Sequence, residues 1–137
     1  TAPVSTIMTS PALSVKLSDR LSEARHLICE HGLHHVPVTN ADVLVGMLSS
    51  TDLIALGFGN DAARVGPIEA FLDRNHSVEK LMTAAPVTIG LEQPISKAAS
   101  MLRTGKYHGL PVVNGDGKLV GVVTSTDLIG MMCDDAQ

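Results

Sequence analysis

The chain contains 137 residues, the size of one compact domain or of two small ones folded together. Hydrophobic residues make up 45% and charged residues 18%, a balance that excludes an intrinsically disordered protein. The formal net charge of −4 and the small aromatic content (Phe58, Phe71 and Tyr107) argue against a nucleic-acid partner.

Neither a membrane segment nor a signal peptide is predicted. No apolar run approaches the roughly 20 residues that a membrane-spanning helix needs. Cys29 and Cys133 are isolated and have neither metal-ligand nor disulfide spacing. We therefore expect a soluble, cytoplasmic protein with reduced cysteines and no membrane partner. Because no initiator Met precedes Thr1, the possibility that the chain is part of a larger protein stays open.

The chain is an internal duplication. Residues 8–42 align with 82–116, and residues 43–54 align with 118–129 after one extra residue in the second copy. Of these 47 pairs, 18 are identical, far more than chance gives. Two copies are too few for a solenoid, so they are predicted to pack as a pseudo-symmetric pair.

Each copy begins with a strand and a helix. An apolar stretch, Ala12–Leu17 or Pro86–Leu91, predicts the strand. In the second copy, apolar residues recur at i, i+3, i+4 and i+7 from Ile95, after a proline that suits a first helical turn. In the first copy the matching stripe begins at Leu21 and has Arg25 in place of an alanine.

A hairpin and a second helix complete each copy. Turn residues at 40–42 and at 114–117 separate two apolar runs, which is typical of a hairpin. The second helix is predicted to begin near Ser50 and near Ser125. The resulting order, β-α-β-β-α twice, indicates an α/β (α+β) fold with two repeats packed through their sheets.

The copies are separated by a linker. Residues 57–66 are rich in Gly and small polar residues and predict a loop, followed by a short helix at 67–74. Equivalent lead-in segments, Val4–Met8 and Val78–Met82, precede a threonine in both copies. The sequence thus predicts three parts: repeat 1 at 1–56, the linker at 57–74 and repeat 2 at 75–137.

The strongest local signal is Gly46–Asp52, repeated as Gly121–Asp127. In both segments a hydroxyl residue ends a strand, and a carboxylate follows three positions later at a helix start. One interpretation is helix capping, which satisfies free backbone N–H groups. The other is a sugar-diol clamp, in which the carboxylate accepts hydrogen bonds from two neighbouring hydroxyls beside a phosphate-binding helix start. Duplication copies caps as well as sites, so both interpretations stay open.

The two copies resemble CBS domains in the tandem arrangement called a Bateman module. The resemblance covers nearly the whole chain. It rests on four motifs in the same order, twice: the Met-Thr lead-in, the Pro-Val strand (His35–Val38 and Gly109–Val112), the Asx/Gly hairpin and the Gly-to-Asp segment. It implies a non-catalytic regulatory module without an obligatory cofactor, holding AMP, ADP or ATP in clefts between the repeats.

The resemblance also implies the site residues. The ribose-binding aspartate of the family falls on Asp52 and Asp127. Its hydroxyl partners fall on Ser49, Thr51, Thr124 and Thr126, and its phosphate-facing basic residues on His34 and His108. The residues that line the adenine pocket fall on Met47, Val122, Leu13, Val87, Leu33 and Tyr107. In this family one repeat supplies the ribose clamp and its partner much of the adenine pocket. We therefore expect two shared sites: Asp127 with Leu13 and Leu33, and Asp52 with Val87 and Tyr107.

The small number of basic residues near the predicted phosphate region limits the charge of the ligand. Both copies keep the hydroxyl and the aspartate, so one competent site and two competent sites both stay open. Beyond His34 and His108, the nearby basic residues are only Arg25, Arg103 and Lys106. This scarcity argues against a preference for triphosphates and leaves AMP, ADP or a ligand without phosphate.

Other ligands and functions remain open. The histidine-rich patch at 26–35 raises metal binding, but the second copy retains only His108, and no metal site is predicted. S-adenosylmethionine and cyclic dinucleotides are alternative ligands, and a structural homodimerisation module with empty pockets is an alternative function. A nucleotide-processing enzyme is disfavoured, since neither a P-loop nor a nucleophile elbow is present. The resemblance implies a homodimer formed through helices, and a regulated partner protein or a missing domain.

Overall fold

The structure is a computed structural model that describes residues 2–56, 70, 73–74 and 76–135, with 134–135 described by backbone alone. The predicted loop at 57–66 and most of the predicted helix at 67–74 lie outside these residues. The described members of that helix, Ala70, Asp73 and Arg74, are helical. The chain divides into two compact units: unit 1 comprises Thr1–Ala12 with Val87–Gln137, and unit 2 comprises Leu13–Pro86.

Unit 2 is built on a four-stranded sheet in the order β1-β2-β3-β4. Strands β1 and β2 are parallel, and the other neighbours are antiparallel. Its elements, in chain order, are β1 (Val15–Lys16), α1 (Leu21–His31), β2 (His35–Asn40), β3 (Val43–Ser49), α2 (Ser50–Ala55), α3 (Val78–Leu81) and β4 (Thr83–Ala84). The predicted stripe of α1 is confirmed, because Leu21, Ala24 and Ile28 are buried in the core of this unit.

Unit 1 repeats the plan with a three-stranded sheet, β5-β6-β7. A 3-10 turn at Val4–Thr6 opens it. The further elements are β5 (Ile89–Gly90), α4 (Ile95–Leu102), β6 (Gly109–Val113), β7 (Leu119–Thr124) and α5 (Ser125–Asp135). The predicted β-α-β-β-α order is therefore confirmed in both copies. Among the described residues, no helix is both long and apolar enough to cross a membrane.

The first strand of each copy is shorter than predicted. Strand β1 pairs with β2 only at Val15 and Lys16, opposite Val38 and Thr39. The residue before Val38 is Pro37, which has no N–H to donate and is tolerated in a central strand only where the ladder on that side is open. Strand β5 is paired in the same way, because Ile89 lies opposite Val112, the residue after Pro111. Both ladders therefore begin at the residue that follows a proline.

The lead-in segments pack on the opposite repeat. Val4 and Met8 belong to the core of unit 1, and Val78 and Met82 to the core of unit 2. Contacts therefore divide the chain differently from the predicted parts, since the lead-in of each repeat completes the core built by the other.

One contact made twice explains two of the identities between the copies. A Cβ added at Gly46 would meet the side chain of Met82, and one added at Gly121 would meet the side chain of Met8. Backbone also closes in on the second glycine, where Thr9 O would lie 2.9 Å from the added Cβ. A side chain at either glycine would therefore displace the methionine of a lead-in, and at Gly121 it would also crowd the backbone of Thr9.

Candidate functional site

The carboxylate of Asp52 lies at the start of α2 in a reciprocal cap. Ser49 is the N-cap residue in extended conformation, and its Oγ accepts a hydrogen bond from Asp52 N at 3.1 Å. In return, Asp52 Oδ2 accepts from Ser49 N at 3.3 Å. This is a capping box, and it fixes the half-buried carboxylate at the end of β3.

Unit 1 has the same arrangement at the start of α5. Asp127 Oδ2 accepts from Thr124 N at 2.8 Å and from the Thr124 hydroxyl at 3.1 Å. Asp127 N donates to Thr124 Oγ1 at 3.2 Å. The capping interpretation is therefore correct for both copies of the motif.

Capping occupies only one oxygen of each carboxylate. Within the part of the chain that the structure describes, the hydrogen bonds of Asp52 and Asp127 engage Oδ2 and leave Oδ1 as a further acceptor. A carboxylate held by its cap is also pre-oriented, so an incoming hydroxyl meets an acceptor of fixed direction. The two interpretations of the motif are compatible, because they use different oxygens.

The segment before the hairpin lies beside each helix start. The carbonyl of His34 accepts from Ser50 N at 2.9 Å, and the carbonyl of His108 accepts from Ser125 N at 3.4 Å. Both imidazoles are on exposed residues. Each predicted phosphate-facing histidine is thereby placed next to the carboxylate motif of its own repeat.

The threonines that follow the two lead-ins pair with the predicted adenine-flanking residues. Met47 is paired with Thr83 of β4. Val122 exchanges two backbone hydrogen bonds with Thr9, at 2.8 and 3.0 Å. Sequence reasoning missed Thr9 and Thr83 as neighbours of this region, although the recurrence of Met-Thr in both copies was the signal that could have found them.

The other predicted residues fall into two groups. Leu33 and Tyr107 are half-buried against the cores of their units, whereas Leu13 and Val87 are 44% and 42% exposed. The hydroxyl residues inside the helix starts, Thr51 and Thr126, are exposed. The predicted pairings of each aspartate join residues of different compact units, and they stay predictions.

The basic residues near the predicted phosphate region lie at the surface or near it. Arg103 and Lys106 are exposed, Arg25 is half-buried, and Lys106 Nζ lies 5.7 Å from the ring centroid of Tyr107. Among the described residues, no group of three or more His, Cys, Asp or Glu side chains is placed to hold a metal ion.

Comparison with known proteins identifies the family to which this chain belongs. The family model described as CBS domain matches residues 4–59 and 78–134, which is most of the chain. The chain belongs to the CBS domain family and carries two copies of the domain. The two matches coincide with the internal duplication found in the sequence.

Among the relatives are proteins of a plant and of an amoeba. The chain is 32% identical over 133 residues to the CBS domain-containing protein CBSX1, chloroplastic, of Arabidopsis thaliana, covering 84% of this chain and 56% of that protein. It is 28% identical over 140 residues to a CBS domain-containing protein of Dictyostelium discoideum, covering 94% of this chain and 90% of the relative. The chain thus spans little more than half the length of CBSX1.

A solved structure has the same fold over its whole length. The crystal structure of CBSX2, from Arabidopsis thaliana, in complex with AMP superposes with a TM-score of 0.81 at 27% identity, and the match covers 100% of both chains. The bound AMP belongs to CBSX2.

Proposed function

We propose that the protein is a regulatory module that binds an adenosine-containing ligand through Asp52 and Asp127. The observation that carries the proposal is the geometry of the two caps, each of which holds a carboxylate by one oxygen and leaves the other to accept from a ribose hydroxyl. CBS-pair proteins are generally regulatory, and CBSX2 has been crystallised with AMP. These findings support the ligand class.

The remaining site residues have supporting roles in this proposal. Ser49 and Thr124 orient the aspartates, as their reciprocal hydrogen bonds do already. Met47 and Val122 flank the adenine, with apolar surface from the exposed pair Leu13 and Val87. The others named from the resemblance, which contact the ligand at its edges, are Thr51, Thr126, Leu33, Tyr107, His34 and His108.

We propose AMP or ADP as the ligand in preference to ATP. Each added phosphate group increases the negative charge that must be balanced, and only Arg25, Arg103 and Lys106 are available near the predicted phosphate region. The proposed action is an allosteric one on a partner protein or a further domain, in the cytoplasm. Such an effect requires a ligand that binds two states with different affinity.

Thermal unfolding with a ligand panel tests this proposal. AMP, ADP, ATP, adenosine and S-adenosylmethionine are added separately, and GTP serves as the control that keeps the ribose and changes the base. A ligand at about 100 times its Kd adds about 2.7 kcal/mol to the free energy of unfolding, which corresponds to a shift of several degrees. A shift limited to adenine compounds supports the proposal. No shift, or an equal shift with GTP, contradicts it.

A further inference from the structure

The two repeats differ in charge at equivalent segments. Segment 103–108 contains Arg103 and Lys106 and no acidic residue. The equivalent segment in the first repeat, 29–34, contains Glu30 and neither Lys nor Arg. Histidine apart, the formal charges of the two segments are therefore +2 and −1. The half-buried Arg25, whose equivalent is Ala99, lies on α1 outside segment 29–34.

Segment 103–108 is placed beside the carboxylate motif of unit 1. Its last residue, His108, accepts the hydrogen bond from Ser125 N, and the next residue, Gly109, is paired with Thr124 in the sheet. The segment therefore ends where Asp127 is capped. Segment 103–108 therefore adjoins the start of α5 within unit 1.

The backbone of segment 103–108 is a structured turn. Gly105 has a φ of +75°, a conformation that a glycine adopts without strain. Lys106 N donates to Thr104 Oγ1 at 3.2 Å, and this hydroxyl donates to Met101 O at 3.0 Å. The Nζ of Lys106 lies 5.7 Å from the ring centroid of the half-buried Tyr107, within the range of a cation–π contact. Lys106 thus belongs to a turn that these hydrogen bonds hold in place.

Segment 29–34 occupies the same place in unit 2. His34 accepts from Ser50 N, and the following residue, His35, is paired with Ser49. Glu30 is exposed near the end of α1, in the position that Thr104 has in the second repeat. A phosphate brought to this segment meets a negative charge where the other segment offers two positive ones, and like charges at short range raise the free energy of binding.

We propose that the two repeats select ligands of different charge. Segment 103–108 contacts the phosphate of an anionic adenosine ligand such as AMP, whereas segment 29–34 accepts an uncharged adenosine ligand and disfavours a phosphate. This inference rests on the proposed function, because it assigns ligand classes to the regions around the two carboxylate motifs.

Calorimetric titration of the full chain with AMP and with adenosine tests the inference. In the variant R103Q/K106Q, we expect the affinity for AMP to fall about tenfold or more, as for the loss of charged hydrogen bonds, while adenosine binding changes less than about twofold. The variant K97Q/K118Q is the matched control, since it removes two exposed lysines of the same unit and changes the net charge equally. In the variant E30Q, we expect AMP to bind more tightly at the site of segment 29–34, where the wild-type chain binds AMP more weakly.

The outcomes separate the inference from the proposed function. If R103Q/K106Q lowers AMP affinity no more than K97Q/K118Q does, or lowers AMP and adenosine affinity equally, the charge selection is wrong while adenosine binding stands. If the wild-type chain binds neither compound, the proposed function fails, and the inference fails with it. Far-UV circular dichroism checks folding, and the single variants R103Q and K106Q replace a double variant that does not fold.

Discussion

At the scale of single residues, the aspartates at the starts of α2 and α5 have a structural role that is separable from ligand binding. Asp52 Oδ2 is committed to the N–H of Ser49, and Asp127 Oδ2 to the N–H and hydroxyl of Thr124. Removing either carboxylate altogether would weaken the helix start as well as the proposed ribose contact. Asparagine separates the two roles, because its single side-chain oxygen replaces Oδ2 in the cap and its amide nitrogen cannot accept a ribose hydrogen bond.

Two glycines give a second prediction at this scale. In the variant G121A, the added methyl group meets the Met8 side chain and lies 2.9 Å from Thr9 O, so we expect overpacking to lower the free energy of unfolding by about 1–3 kcal/mol. Urea unfolding measures this change. The control is G130A on the exposed side of α5, where an added Cβ has no atom within 4 Å and alanine favours the helix.

The double variant M8A/G121A tests whether the cost arises from this contact. Removing the methionine side chain creates room for the new methyl group, so we expect the double variant to be more stable than the sum of the two single changes implies. Simple additivity, or a G121A variant as stable as the wild type, would show that the lead-in does not pack against this glycine.

At the scale of elements, the pattern of the sequence was sufficient for most of the fold. Period-3.6 stripes, hairpin turn residues and the hydroxyl-Asp motif predicted α1, α4, both hairpins and the starts of α2 and α5 correctly. These signals are local, because each depends on residues within a few positions of one another. The capping hydrogen bonds are local in the same way, and capping was one of the two interpretations that the motif left open.

Features that depend on distant residues were not predicted. The N-cap residue of α1, Arg20, forms no side-chain cap, and the helix start is instead capped by Asp73, whose carboxylate accepts from Ser22 N at 3.0 Å and from Ser22 Oγ at 2.7 Å. Asp73 is 51 positions away in the sequence, so no local pattern points to it. The packing of each lead-in on the opposite repeat is of the same kind.

Deletion of residues 2–8 tests the packing of the first lead-in. Val4 is fully buried in unit 1, and its N–H donates to Gln93 O at 2.8 Å. We therefore expect the deletion to lower hydrogen-exchange protection in α4 and β7, which belong to the second repeat, and to leave β2 and β3 protected. Loss of protection in β2 and β3, or an unchanged pattern, would contradict the observed grouping of the chain.

At the scale of the whole molecule, two equivalent helices expose apolar side chains. Ile54 on α2 and Ile129 on α5 are each 59% exposed, and Met132 on α5 is 65% exposed. We propose that these residues contact a second copy of the chain, as the family resemblance implies. Exposed apolar side chains grouped on a helix are typical of association surfaces.

Sedimentation velocity tests the homodimer. We expect the wild-type chain to sediment as a dimer and the variant I129E to sediment as a monomer, because a carboxylate in an apolar interface is desolvated without a partner. The control variant Q93E places the same charge on an exposed residue of the same unit, outside α2 and α5. A monomeric wild type, or equal behaviour of both variants, would contradict the proposed interface.

The ligand class was predicted only through the family resemblance, since capping and ribose binding use the same residues and periodicity cannot distinguish them. Calorimetric titration of AMP into the variants D52N and D127N therefore tests the central claim most directly. We predict that each substitution weakens binding at one class of site by about ten- to hundredfold, the cost of a lost charged hydrogen bond, while D42N in the hairpin turn leaves binding unchanged. Wild-type affinity in the double variant D52N/D127N would contradict ribose binding by these aspartates.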